Sequence, residues 1–196
     1  RAISETAAEN SDLILITGDL GFGVLTDFAD RFPNQFVNAG VAEQNMTMLA
    51  AGLALEGCKV ITYSIGNFAT LRCLEQIRND VCYHNLDVTV VSVGGGFSYG
   101  QLGMSHFATE DLAIMRALPE LSVVAPCNPE SAYGLTHQLM ETPGPKYLRV
   151  DKGSAQLPED VSIPVLGEPR MIREGDDSLV VATGGIISEA LEASKS

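Results

Sequence analysis

Positive charge is scarce in this chain: 12 Lys and Arg against 25 Asp and Glu leave a net charge of −13 over 196 residues. A surface of that sign repels phosphate backbones and anionic lipid heads, and no local basic cluster offsets it, so nucleic-acid and peripheral-membrane roles are excluded. Long apolar runs are missing as well. The nearest approach, Met46 to Leu55, is interrupted by Thr47 and Gly52 and falls short of the ~18–20 residues that span a bilayer. The N-terminus has neither a signal-peptide core nor an initiator Met, so the chain reads as cytosolic with a trimmed start. Cys58, Cys73, Cys82 and Cys127 form no C-x-x-C and have no His at zinc spacing, the pattern of free thiols in a reducing compartment. Internal repeats and low-complexity tracts are absent too.

What is present is a globular composition, 45% hydrophobic with 19% charged, which predicts a packed core rather than disorder. Apolar runs that read as buried strands alternate with segments of helical period, the pattern of an α/β fold with a doubly wound, mainly parallel sheet. Strands are expected over 13–16, 35–38, 59–63, 88–93, 121–124 and 146–150. Helices are expected over 26–31, 42–55, 69–83, 111–117 and 129–141, with Gly57 closing the second of these. Composition changes after Val150, where Pro158, Pro164 and Pro169 mark a linker. A further strand over 178–182, a Thr183-Gly184-Gly185 turn and a helix over 186–194 then form a lone unit. One strand and one helix bury no core by themselves, so the expected division is a domain over 1–155, a linker over 156–177 and the start of an incomplete C-terminal domain over 178–196.

Two glycine-rich segments follow strands. Gly18-Asp19-Leu20-Gly21-Phe22-Gly23 lacks G-x-G-x-x-G spacing, and Gly94-Gly95-Gly96 lacks the Lys-Ser/Thr of a P-loop, so both read as tight turns. Gly40-Val41-Ala42-Glu43-Gln44-Asn45 is more informative. Glu43 sits in the first turn of an apolar helix, where a carboxylate caps the helix N-terminus. The ten residues after it carry no other charge, however, so this carboxylate enters a buried region and needs a partner. Phe68, Arg72 and His106 complete the set of residues whose chemistry exceeds their surroundings, although a Phe near a helix start also serves a core and a lone His a surface. His84 and His137 belong to no motif.

Taken together and in order, the segment at Gly40, Asn67-Phe68, the run from Arg72 to Asp80, Gly103 to His106, and Leu118-Pro119-Glu120 to Pro126 resemble the pyrimidine-binding domain of the transketolase family. The resemblance covers roughly 5–155, closest to the section shared with deoxyxylulose-phosphate synthase and 2-oxoacid dehydrogenase beta chains; the Thr183-Gly184-Gly185 unit resembles the opening of the family's C-terminal domain. It implies a thiamine-diphosphate-dependent enzyme that transfers a two-carbon ketol or acyl unit from a ketose or 2-oxoacid. Deoxyxylulose-phosphate synthase, an oxoacid dehydrogenase beta chain and a non-catalytic assembly or regulatory module stand as alternatives. By the same resemblance Glu43 hydrogen-bonds a ring nitrogen of the cofactor's aminopyrimidine and activates it. Phe68, with Tyr63 as second candidate, stacks on that ring, Arg72 belongs to the cofactor-binding set, and His106 faces the substrate. Lys152 resembles a phosphate-binding position.

This chain departs from the family pattern in three places. Leu102 stands where an Asp is usual, and Gly94 or Gly95 where a basic residue meets the substrate phosphate; losing that charge-assisted contact, worth ~1.5–3 kcal/mol, argues against a standard sugar phosphate. The Gly-Asp-Gly and Asn that hold Mg²⁺ and the diphosphate are not supplied by Gly18-Asp19-Leu20 or Gly175-Asp176-Asp177. The resemblance therefore implies a homodimer, or a heterotetramer with a diphosphate-binding subunit that carries the Mg²⁺ ligands.

Overall fold

A computed structural model describes residues 1–153, 155–157 and 161–195. Six short apolar runs form the strands β1 (Leu13–Thr17), β2 (Phe36–Asn38), β3 (Lys59–Ile65), β4 (Val88–Val93), β5 (Ser122–Val124) and β6 (Lys146–Val150). They make one sheet in the order β2-β1-β3-β4-β6-β5, and every pairing is parallel. The expected doubly wound α/β fold is thus present, with the sheet wholly parallel. Helices α1 (Ala2–Glu9), α2 (Thr26–Arg31), α3 (Glu43–Leu55), α4 (Gly66–Ala69), α5 (Leu74–Gln76), α6 (Asp111–Arg116), α7 (Pro129–Glu141) and α8 (Ile187–Ala193) complete the described chain.

Because a parallel sheet is covered on both faces, its strands are apolar on both, and two cores result. On one face Ile16, Val60, Val90 and Tyr147 meet Met46 and Ala50 of α3, Ile77 and Val81 of the following helical segment, and Met115 of α6. On the other, Leu13, Leu15, Ile61 and Leu148 meet Ala7 of α1, Phe28 of α2 and Leu135 and Leu139 of α7. The capping box of Asn128 and Ser131 starts α7 behind Pro129, and Gly57 at φ +94° ends the turn after α3.

The structure corrects two expectations. The helix expected over 69–83 is not continuous: α4 ends at Ala69, Thr70 adopts φ −112° and ψ −85°, a 3-10 turn covers Leu71–Cys73, and after α5 the chain winds as a π-helix over Ile77–Cys82. Side chains replace the lost backbone bonds: Thr70 Oγ1 donates to the Gly66 carbonyl at 2.8 Å and Cys73 Sγ to that of Phe68 at 3.2 Å. The strand expected over 178–182 does not form. Leu179, Val180 and Val181 are 79%, 63% and 85% exposed, and their N–H and C=O groups join no ladder among the described residues; apolar β-branched sequence makes a strand only beside another strand. Pro158 of the expected linker and Ser196 of the expected terminal unit lie outside the described residues.

Candidate functional site

The chain runs from β1 outward to β2, then crosses back so that β3 lies on the other side of β1. Connections leave in opposite directions from β1 and β3, and a crevice opens above their C-terminal ends, where ligands of open parallel sheets bind. The sequence motifs converge there. Glu43 opens α3 directly after the β2 loop, and its side chain passes over the end of β1. At Gly18 an added Cβ would lie 3.3 Å from Glu43 Cγ, so the glycine leaves the space that the carboxylate chain uses.

Glu43 is 2% exposed, and the partner its burial requires is Arg72, whose Nη1 donates to Oε2 at 2.8 Å while its side chain stays 43% exposed. The guanidinium lies 4.3 Å from the Phe68 ring centroid, a cation–π contact. Phe68 in turn meets the His106 ring edge-on at 5.0 Å. Asn67 Nδ2 donates to the Ser105 carbonyl at 3.0 Å, tying α4 to the turn that carries His106, and Ser105 Oγ lies 3.0 Å from His106 Nδ1. Glu43, Arg72, Phe68 and His106, spread over 64 positions (106 − 43 = 63 steps), form one series of contacts. The Thr70 break lies between Phe68 and Arg72, which nevertheless keep the side-by-side contact of residues four apart.

Tyr99 belongs to none of the motifs singled out in the sequence and extends the series further. Its ring lies 5.7 Å from that of His106, and the Lys152 ammonium sits 3.5 Å from its centroid. An added Cβ at Gly94 would strike the Tyr99 ring, so this glycine leaves room for the aromatic group. The signal available in the sequence was the pairing of a bare glycine turn with an aromatic residue five positions on. Tyr63 packs on the sheet face of the second core and meets the loop at Gly21; burial first, and then the neighbouring Tyr99, raises its phenol pKa. Lys152 is exposed.

An open pocket of about 340 Å³ lies against the opening turn of α3, lined by residues 41–45, Met48 and Arg72; Phe68 and His106 are not on its wall. A buried carboxylate at the wall of a mostly apolar pocket of this size fits an aminopyrimidine ring, which offers a nitrogen to the acid and flat faces to apolar side chains. The same residues do not fit a diphosphate or its metal: the cation on the pocket wall, Arg72, is engaged by Glu43, and among the described residues no group of three His, Cys, Asp or Glu could hold a metal ion. All four cysteines are free, and no helix among the described residues is long and apolar enough to cross a membrane.

Residues 1–158 match the family model described as the transketolase pyrimidine binding domain. Among relatives, the chain is 37% identical over 193 residues to a putative transketolase C-terminal section of Methanocaldococcus jannaschii, covering 96% of this chain and 61% of the relative. It is 35% identical over 194 residues to one subunit of the apulose-4-phosphate transketolase of Phocaeicola vulgatus, covering 96% of this chain and 62% of that one. A solved structure described as a split gene transketolase, inactive beta4 tetramer, superposes with a TM-score of 0.84 at 35% identity, covering 99% of this chain and 63% of the other. The chain thus spans about three fifths of the length of these relatives. With the motifs, the all-parallel sheet and a match across four fifths of its residues in agreement, this chain belongs to the transketolase family through its pyrimidine-binding domain.

Proposed function

We propose that this chain forms the aminopyrimidine half of a thiamine-diphosphate site in a cytoplasmic transketolase-like enzyme that transfers a two-carbon ketol or acyl unit. The observation that carries this reading is the buried Glu43 carboxylate, held by Arg72 at the crevice between β1 and β3 beside Phe68 and His106. When bound, thiamine diphosphate supplies the electron sink that lets a two-carbon unit leave a ketose or 2-oxoacid. Glu43 accepts and holds a proton at a pyrimidine ring nitrogen, and its own burial limits the water that reaches that carboxylate. Arg72 orients the carboxylate, Phe68 offers its ring to the cofactor, and His106, with Lys152 near it, faces the substrate. Mg²⁺ and the diphosphate are held by a second subunit. The relatives named as a transketolase subunit and as a C-terminal section support this division of labour, and so does the missing metal and diphosphate chemistry on the walls of the pocket.

Calorimetric titration of thiamine diphosphate with Mg²⁺ tests the reading, first into the chain alone and then into its complex with a diphosphate-binding subunit. Weak binding alone and tight binding in the complex are expected, with Glu43→Ala lowering turnover by about 10²–10⁴-fold. Undiminished turnover in that variant overturns the role of Glu43. Offering the complex pyruvate and aldose acceptors, phosphorylated and not, then identifies the product.

A further inference from the structure

The C-terminal segment meets the domain at one carboxylate. Asp151, the first residue after β6, has its two oxygens on two different partners: Oδ1 accepts the Gly95 N–H at 3.1 Å and Oδ2 accepts the Gly185 N–H at 3.0 Å. Gly95 belongs to the loop that leaves β4, and Gly185 to the turn ahead of α8, 90 positions later (185 − 95 = 90). Arg149 faces the same carboxylate as an ion pair without a hydrogen bond. Its Nε lies 3.5 Å from Asp151 Oδ1, and its Nη1 lies 3.3 Å from Asp111 Oδ1 at the start of α6. Asp111 is 1% exposed and also accepts the Tyr147 hydroxyl at 2.6 Å, so the cation is bracketed by two carboxylates and cannot swing away without leaving one buried and unpaired.

The backbone around this point is shaped for close approach. An added Cβ at Gly95 would strike Asp151 Oδ1 and Arg149 Nε, and one at Gly184 would come within 2.9 Å of Arg149 Nη2 and 3.0 Å of Asp151 Oδ2. Gly184 also has φ +70°, and its N–H donates to the Ala125 carbonyl at 3.1 Å, completing the dock. On the other side of Asp151 the loop from Gly95 carries Tyr99 and His106, and Lys152, the residue after Asp151, rests on the Tyr99 ring. Packing of the C-terminal segment and placement of the substrate side of the crevice therefore share one side chain.

We propose that Asp151 is a positioning residue that couples docking of the C-terminal segment to the shape of the 95–107 loop. The coupling is reciprocal: whatever releases Gly185 loosens the loop, and whatever moves the loop loosens the segment. Asp151→Asn separates the two halves of this claim. An amide has one acceptor oxygen and presents an NH₂ in the other direction, so it satisfies one of the two N–H donors and opposes the second.

Hydrogen exchange on the full chain reads the coupling without any cofactor. In Asp151→Asn, amides of both 95–107 and 183–193 are expected to exchange about fivefold faster or more, while those of α3 keep their protection. Gly184→Ala, made in the C-terminal segment alone, is expected to speed exchange in 95–107 as well. Unchanged protection of 95–107 in both variants overturns the proposal. In the assembled enzyme Asp151→Asn is expected to raise the acceptor KM by about fivefold or more with kcat little changed. A loss confined to kcat overturns the positioning role. This last arm rests on the proposed activity and the exchange arm does not, so a failure of the coupling and a failure of the activity are told apart.

Discussion

At Glu43 stability and chemistry pull in different directions. A carboxylate at 2% exposure carries a desolvation cost that the single Arg72 contact offsets only in part, since the guanidinium is itself 43% exposed and its charge is screened. Glu43→Gln keeps an acceptor for Arg72 while removing the buried charge. Thermal or urea unfolding of this variant is therefore expected to stay within about 1 kcal/mol of the parent, on either side. On the proposed function, its turnover in the assembled enzyme is expected to fall by about 10²-fold or more, since the variant removes the carboxylate assigned to the ring-nitrogen proton. A variant destabilised by several kcal/mol would place Glu43 among structural residues instead. The carboxylate was legible in the sequence as a lone charge ahead of ten uncharged residues; its partner was not. Arg72 lies 29 positions away, and a one-dimensional pattern carries no distance between elements.

Among the elements, the broken segment after β3 shows how a local preference yields to packing. Periodicity across 69–83 reads as one helix, yet the carbonyls of Gly66 and Phe68 are taken by the side chains of Thr70 and Cys73, and the axis is redirected. Ile77 and Val81 still reach the core while Phe68 and Arg72 reach the crevice, and a π-helical stretch beside a site is a familiar consequence of such competing demands. On the opposite face α1 is fastened to α7 by Glu5. Its carboxylate accepts the Tyr133 hydroxyl at 2.7 Å, lies 3.0 Å from His137 Nε2, and pairs with Arg1 at 2.9 Å. The Tyr133 hydroxyl first, and then Arg1, bring its pKa from an ordinary 4.5 down to about 2. A depressed carboxyl pKa contributes stability that is present above the unfolded value and is lost as pH falls through the folded one. Unfolding measured from pH 5 downward is thus expected to weaken between about 4.5 and about 2 in the parent, and Glu5→Gln is expected to remove that part of the slope. Equal slopes in the two proteins would free α1 from this contact.

Across the whole molecule the two ends of the strands are unlike. The crevice lies at the C-terminal ends of the strands, and at their N-terminal ends Lys146 of β6 is fully buried, bonded to Asp87 and to the Thr142 carbonyl at 2.6 Å. Lys59 of β3 reaches the same Asp87 at 2.6 Å, so one carboxylate ahead of β4 joins three strands. Burial pushes the Lys146 ammonium below its ordinary pKa, and Asp87 opposes that shift. Asp87→Ala strands a buried cation and is expected to cost about 3 kcal/mol in urea unfolding, the lower end of the range because Asp87 is itself 28% exposed. Lys146→Met removes charge and desolvation together and is expected to change stability by about 1 kcal/mol or less. Neither variant touches the pocket at Glu43, so cofactor affinity of the complex is expected to persist in both. The sequence by itself determined the six strands of the sheet, the doubly wound class and the family, and singled out Glu43, Phe68, Arg72 and His106 as candidates, because apolar period and motif order are properties of a line. Only the tertiary structure decided that Arg72 answers Glu43, that the helix breaks at Thr70, that Tyr99 joins the crevice, that residues 178–182 make no strand, and that Asp151 joins two distant loops. Each of these depends on which groups meet in space, where burial makes every polar atom find a partner, and a strand needs a neighbour that its own sequence cannot provide.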